Sequence, residues 1–293
     1  MARRQIPVYD ICSLHDSQRG ASDLLIEPFG AYLQRHYEHL HTAHRHSFYH
    51  FVLFTKGAGT HSIDFTEFEV KPWQVYFMAP GQVHGWNFSG KTDGFIVNFA
   101  ADYFRDFLLA PDYLSRFHFF GGDADNGICQ LPVGVRELVK GMFEELLVLN
   151  EGAGTLRYDR IRVQLLQFFL LVEASCGTAG NGVVPHPGQL IVQGYRKLID
   201  QHFIRLKLPK DYAKLLSVTP NHLNAVCREL LGKTAGEMIR DRLLLESKRL
   251  LVNAGMTVRE IAYELDFRDN SYFGRFFKKY TGQTPEEFRK RSW

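Results

Sequence analysis

Cysteine is scarce in this chain. Its 293 residues hold only Cys12, Cys129, Cys176 and Cys227, far apart from one another. So sparse a set makes neither the ligand spacing of a zinc site nor the dense bridging of a small secreted domain, and all are expected as buried thiols. Long apolar runs are missing too. Nowhere do apolar residues approach the ~20 in succession that span a bilayer, and the basic start MARRQIPVYD has no apolar stretch behind it. A soluble cytoplasmic protein with no membrane partner is expected. What the chain does have is hydrophobic mass: 45% hydrophobic and 14% aromatic content is enough for two ordinary cores.

Neither charge sign dominates, but the net +3 hides an asymmetry. From Leu190 to Trp293 there are 20 Lys and Arg against 12 Asp and Glu, which leaves 15 against 20 for residues 1–189. A basic C-terminal part is what nucleic-acid binding requires, because Lys and Arg must replace the counterions around phosphates.

The segment Cys176–Gln189 (CGTAGNGVVPHPGQ) has no helical or alternating period and reads as a linker. This divides the chain into one domain over 1–176, a linker over 177–189 and a second, basic domain over 190–293. Before the linker, Val135–Leu149 and Tyr158–Ala174 space apolar residues at three- and four-residue steps and predict two helices joined by the turn EGAGT. The second is apolar over more than one face. It is either wedged inside its own domain or also packed against a second copy. Further upstream, FYHFVLF, HSIDF, WQVYFMA and GFIVNF are β-rich runs between turn signals, which predicts a small antiparallel barrel or sandwich. One further helix is expected at Asp102–Leu109.

The basic part carries an internal repeat. Ala213, Leu216 and Val218 match Ala262, Leu265 and Phe267; after one inserted residue, Leu223, Val226, Gly232, Thr234 and Glu237 match Phe273, Phe276, Gly282, Thr284 and Glu287. These are the small alanine, core hydrophobes, terminating glycine and cap of a helix, a tight turn and a second helix. Thr234–Glu237, Thr257–Glu260 and Thr284–Glu287 have the spacing of capping boxes, and Thr219-Pro220 starts another helix. A helix at about 236–253 separates the units. Two second helices on one chain suit successive major grooves, roughly 34 Å apart.

YAKLLSVTPNHLNAVCRELLGKTAGEMI and DFRDNSYFGRFFKKYTGQTPEEFRKR resemble the DNA-binding domain of AraC/XylS-type regulators, over Leu190–Arg291. The resemblance implies that Asn221, Asn224, Ala225, Asn270, Ser271, Gly274 and Arg275 face the bases. Asn suits adenine and Arg suits guanine through paired hydrogen bonds. The chain departs from the family at Ala225, where some members have a long basic residue, and at Gly274, where many have a hydroxyl. Arg228 also lies on the outward face, and Lys278, Lys279, Arg289 and Lys290 are expected at phosphates or in solvent. Leu223, Val226, Phe273, Phe276 and Phe277 are core.

HRHSFYHFVLFTKGAGTHSIDF and WQVYFMAPGQVHGW resemble the cupin-like effector domain of the same family. In them His44, His46, His50 and His84 can converge, with Trp86 beside them. The first reading is the polar lining of an effector cavity; the alternative is a metal held by neutral imidazoles, although the carboxylate usual after the paired histidines is absent and His50 lies near its place. His36, His39 and His41 are expected in solvent, and Trp73 and Tyr76 either stack on a ligand or fill the core. The expected class is α+β: a cupin-like β-barrel with a helical pair, then an all-α domain with two helix-turn-helix units. The resemblance implies a regulator of transcription, more often activator than repressor, with double-stranded DNA, a small-molecule effector, a second copy of itself and RNA polymerase as partners. No catalytic site and no cofactor are expected. A cupin-type metalloenzyme with an accessory helical domain is the alternative.

Overall fold

The computed structural model describes residues 7–11, 23–110, 113–177, 187–252 and 255–291. Cys12, Asn253, the middle of the expected linker and the side chain of His39 lie outside the described residues. The chain divides into two compact units, one within Pro7–Gly180 and one within Asn181–Trp293. Among the described residues, no helix is long and apolar enough to cross a membrane.

The first unit is built on two five-stranded sheets. One runs β1 (Val8–Tyr9), β3 (His44–His46), β8 (Val83–Phe88), β5 (Gly59–Ile63), β6 (Thr66–Glu69); the other runs β10 (Ile128–Gln130), β7 (Gln74–Met78), β4 (Tyr49–Lys56), β9 (Asp93–Phe99), β2 (Leu24–Pro28). All pairings are antiparallel except β1 with β3. Helix α1 (Phe29–Leu40) follows β2 directly.

Strand β4 shows why FVLF reads as an unbroken apolar run. Side chains alternate across a strand, and here both faces are covered. Phe51 and Leu53 join one buried cluster, while Val52 and Phe54 join the other, with Trp86, Ile63, Ile96 and Phe29. The first cluster is completed by α2 (Arg136–Glu151) and α3 (Arg157–Cys176), which contribute Val139, Phe143 and Leu146, then Ile161, Leu165, Phe168, Phe169 and Val172. The Phe168 ring stacks 5.5 Å from Phe51 and meets Phe143 edge-on at 5.0 Å. Most of the apolar surplus of α3 is therefore the unit's own core. Leu156, Val163 and Leu170, spaced by seven, remain more than half exposed along one line of α3 and its N-terminal cap.

Two expectations are corrected here. Residues 101–107 form successive turns rather than a helix, with Arg105 N and Phe107 N donating three residues back. Tyr103 and Phe104 are both buried in the α3 cluster, and the Arg162 guanidinium sits 4.7 Å over Tyr103, so tertiary packing overrides local helical preference. Cys129 and Cys176 are not thiols but a disulfide joining β10 to the end of α3 across a Cα–Cα distance of 5.8 Å. The topology brings together residues 47 apart, which spacing alone could not pair. Cys227 is the expected buried thiol.

The second unit is all helix: α4 (Pro187–His202), α5 (Pro209–Leu215), α6 (Pro220–Leu231), α7 (Ala235–Val252), α8 (Val258–Glu264), α9 (Asn270–Thr281) and α10 (Pro285–Arg291). Helix α4 begins before Gln189, where the linker was expected to end. The repeat extends to the backbone. Ala213 and Ala262 are fully buried, and their carbonyls accept from Val218 N at 3.0 Å and Phe267 N at 2.8 Å. Between them the equivalent residues Ser217 and Asp266 take the same left-handed conformation, φ 55° and 54°. Gly232 and Gly282 end α6 and α9 at φ 67° and 77°, where a side chain would be strained.

Candidate functional site

Each helix-turn-helix is held by its caps. Thr234 and Glu237, Thr257 and Glu260, and Thr284 and Glu287 each exchange both bonds of a capping box. In every box the threonine N–H donates to the glutamate and holds that carboxyl below its usual range. Thr219 Oγ1 accepts from His222 N at the start of α6, and Asp269 does the same for Tyr272 N at the start of α9 at 2.7 Å, a cap missing from the sequence reading.

Helix α7 packs against α4, α5 and α6 of the first motif and against α8, α9 and α10 of the second, so one element joins both motifs. Its cations are used internally. Arg242 Nε donates to Asp200 at 2.9 Å while stacking 4.1 Å over Phe203, and Arg240 lies 4.5 Å over Tyr280 of α9. Lys207 Nζ donates to the carbonyl of Leu265 at 2.9 Å and to that of Asp266, gripping the turn of the second motif.

The outward faces of α6 and α9 are different. Asn221, Ala225, Arg228, Asn270, Ser271, Arg275, Lys278 and Lys279 are all exposed. Among the described residues, the side chains of Arg228 and Arg275 have no ion pair or hydrogen bond within the chain. Gly274 is half-buried, and a Cβ placed there would meet nothing within 4 Å, so packing does not demand glycine.

Two residues are placed differently from the sequence reading. Asn224 is half-buried, and its Oδ1 accepts from Ala235 N at 3.1 Å, the first backbone donor of α7. Its carboxamide oxygen thus holds the start of α7, and a paired contact with adenine would have to use that oxygen's second lone pair. Arg289 donates to the carbonyls of Leu251 at 2.9 Å and Met256 at 2.8 Å, locking α10 to the end of α7 rather than standing free for a phosphate.

In the first unit, the sheets bring the histidines together by register. His44 and His84 are direct cross-strand partners on β3 and β8. His46 follows His44 by two residues and so shares its face, and His50 enters from the opposite sheet beside its partner Asn98. His44, His46, His50 and His84 are buried, with Trp86 2% exposed and its ring 5.3 Å from that of His84. The sequence reading missed His61. It sits opposite Trp86 in the β5–β8 register, is fully buried, and its Nε2 lies 3.0 Å from His84 Nδ1. Its alternation with Ile63 was the available signal.

Burial removes water from all these rings and disfavours the charged form. It lowers the pKa of His44 to about 4 and of His50 to about 3, and pushes those of His46, His61 and His84 well below the ordinary value. The imidazoles are neutral at pH 7. Hydrogen bonds then fix where lone pairs lie. His44 Nδ1 donates to Thr42 O at 2.8 Å, which leaves Nε2 bare; His50 Nδ1 donates to Asn98 Oδ1 at 2.7 Å, with the same result. Neither Nε2 has a partner among the described residues. His46 Nε2 and His84 Nε2 face each other at 2.8 Å.

The remaining expectations sort simply. Trp73 packs on the helix-side cluster under Arg136, away from the histidines, and Tyr76 lies in the inner core with its hydroxyl donating to Glu69 O. His41 is exposed, while His36 is half-buried against Tyr32.

Residues 212–291 match the model of a helix-turn-helix domain, and residues 29–148 match that of an AraC-like ligand binding domain. The chain is 24% identical over 246 residues to the arabinose operon regulatory protein of Salmonella typhimurium, covering 80% of each chain. It is 26% identical over 155 residues to the melibiose operon regulatory protein of Escherichia coli, covering 51% of each. Among solved structures, ToxT from Vibrio cholerae O395 aligns over 83% of this chain and 89% of its own, with 15% identity and a TM-score of 0.43.

Proposed function

Because the chain belongs to the AraC family of DNA-binding transcription regulators, with an AraC-like ligand-binding unit before its helix-turn-helix region, we propose that it activates transcription as a homodimer, in response to a small molecule bound among the barrel histidines. The family is one of regulators, which removes the metalloenzyme alternative.

The observation that carries the DNA-facing part is the contrast between paired and unpaired cations. Arg240, Arg242, Lys207 and Arg289 are spent inside the unit, while Arg228 and Arg275 stand unpaired on the two second helices. Asn221, Asn270, Ser271 and Arg275 are the proposed base readers, and Arg228, Lys278 and Lys279 the proposed phosphate contacts, because base edges require directional donors whereas phosphates require only charge. Gly274 and Ala225 let the helix backbone approach the groove. Asn224 serves by holding α7 in place.

The proposed effector site is lined by His44, His46, His50, His84 and Trp86; His44 Nε2 and His50 Nε2 offer buried acceptors and Trp86 Nε1 a buried donor, each without a partner among the described residues. The proposed dimer forms through the exposed stripe Leu156, Val163 and Leu170 of α3 and its cap, since an apolar line of that kind on a long helix suits a two-fold partner. An effector shifts the regulator only by binding one arrangement more tightly than another. RNA polymerase is the proposed downstream partner.

The test is binding of the full-length chain to promoter fragments beside its own gene, measured across salt. Affinity is expected to fall steeply as salt rises. Failure to bind any such fragment, or binding of random DNA equally well, refutes sequence-specific regulation.

A further inference from the structure

The geometry points to a transition-metal site inside the first unit, in which His44, His46 and His84 hold one divalent ion through ring nitrogens. The inference deepens the reading of this interior as a ligand chamber, and rests on that reading only for the location of the ligand.

Three observations converge. The three histidines are buried, and each offers one nitrogen such that all these atoms lie within 4.8 Å of one another. Around a tetrahedral ion with metal–nitrogen bonds of about 2.0–2.1 Å, ligand atoms stand roughly 3.4 Å apart. Rotations moving each nitrogen by about an ångström close that gap. The lone pairs are also already set. Thr42 O can only accept, so it fixes the proton of His44 on Nδ1 and aims a bare Nε2 inward, as a carbonyl behind a metal-bound histidine does. His46 Nε2 and His84 Nε2 oppose each other at 2.8 Å with room for one proton at most, and His84 Nδ1 has His61 Nε2 behind it at 3.0 Å. Several acceptors thus point into one small volume, and the complementary species is a Lewis acid.

The donor set selects the metal class. Neutral imidazole without carboxylate or thiolate suits zinc, nickel, cobalt or copper, not calcium or magnesium, which demand oxygen. Three protein ligands leave a fourth position free. His50 Nε2, unpartnered on the opposite sheet, lies outside the group of three, and its ring stands 5.1 Å from that of His46 and 5.2 Å from that of His84. A hydroxylated organic effector offers donors to the same nitrogens, but it would spread its contacts rather than draw three onto one point.

The experiment uses the full-length chain without a polyhistidine tag, stripped with chelator and titrated with zinc and, as a spectroscopic probe, cobalt. Uptake of one ion per chain is expected, with a cobalt absorption in the visible and a raised melting temperature. His44→Gln and His84→Gln should each abolish that absorption, while His118→Gln, outside the cluster, leaves it intact. His61→Gln should keep the stoichiometry and weaken affinity by about 10–100-fold, since it acts behind His84. Lack of uptake by the wild-type chain overturns the inference without need of a variant. Uptake unchanged in both His44→Gln and His84→Gln overturns it equally. DNA binding of stripped and loaded chain is measured in parallel, so its loss in both forms counts against the regulator reading and not against the metal.

Discussion

Replacing Asn224 with alanine separates a positioning role from a base-reading one. The substitution removes the bond from Ala235 N to Asn224 Oδ1, 3.1 Å long and half-buried, and leaves the first donor of α7 without its side-chain partner. Losing a side-chain cap of this kind costs about 0.5–2 kcal/mol. Alanine recovers roughly half a kcal/mol through its higher helix propensity. The net loss is about 1 kcal/mol, which in a unit of this size lowers the melting temperature by roughly 4 °C. A base-reading asparagine would behave otherwise, costing about 1–3 kcal/mol on the preferred site and relaxing choice at one base pair. Asn221→Ala is the matched control: Asn221 is exposed and has no such bond, so its stability should change by no more than about 0.5 kcal/mol. Thermal unfolding of both variants, with anisotropy titrations on the preferred site and on its single-base variants, reads both quantities. Unchanged melting together with relaxed specificity for Asn224→Ala would refute the reasoning.

Arg275→Ala should cost about 1–3 kcal/mol on the preferred site and little on random DNA; Lys279→Ala should weaken both alike and lower the salt slope by about one, and equal losses for the two variants in the same titrations would remove the distinction. Val163→Glu with Leu170→Glu places charge on the exposed stripe of α3, so sedimentation of the full chain should shift from dimer to monomer with the helical signal retained. Gly274→Ser meets no neighbour within 4 Å, and should leave melting unchanged or raise it by a few degrees while altering DNA affinity; a large drop in melting would mean that the position is packed after all.

The repeat was legible because several independent local signals coincide at each position. Threonine caps, a buried alanine and a left-handed glycine each act within a few residues, so their spacing reports the fold directly. The helical pair was legible for the same reason, through its period. What could not be read depends on distant partners. Asp102–Leu109 has helical spacing, yet Tyr103 and Phe104 are drawn into a core assembled by α3. Asn224 carries the residue type of a base reader, and only the position of Ala235 shows where its oxygen is spent. His61 required the register of β5 against β8, and the Cys129–Cys176 bridge required the sheet that brings β10 to the end of α3. The inner lining came from motif at His44, His46, His50, His84 and Trp86, and from topology at His61.

The way α7 braces both motifs has a consequence for the sequences this chain can recognise. With Arg240 against Tyr280, Arg242 against Asp200 and Lys207 clasping the Leu265–Asp266 turn, α6 and α9 are tied into one braced unit. If these two helices read DNA as proposed, a single chain measures helical phase as well as bases. Inserting about five base pairs between its two contact sites turns the second onto the far side of a duplex that repeats every ~10.5 base pairs. On that reading, an operator tolerates base changes within one chain's footprint but not an insertion or deletion of a few base pairs, which loses the phase.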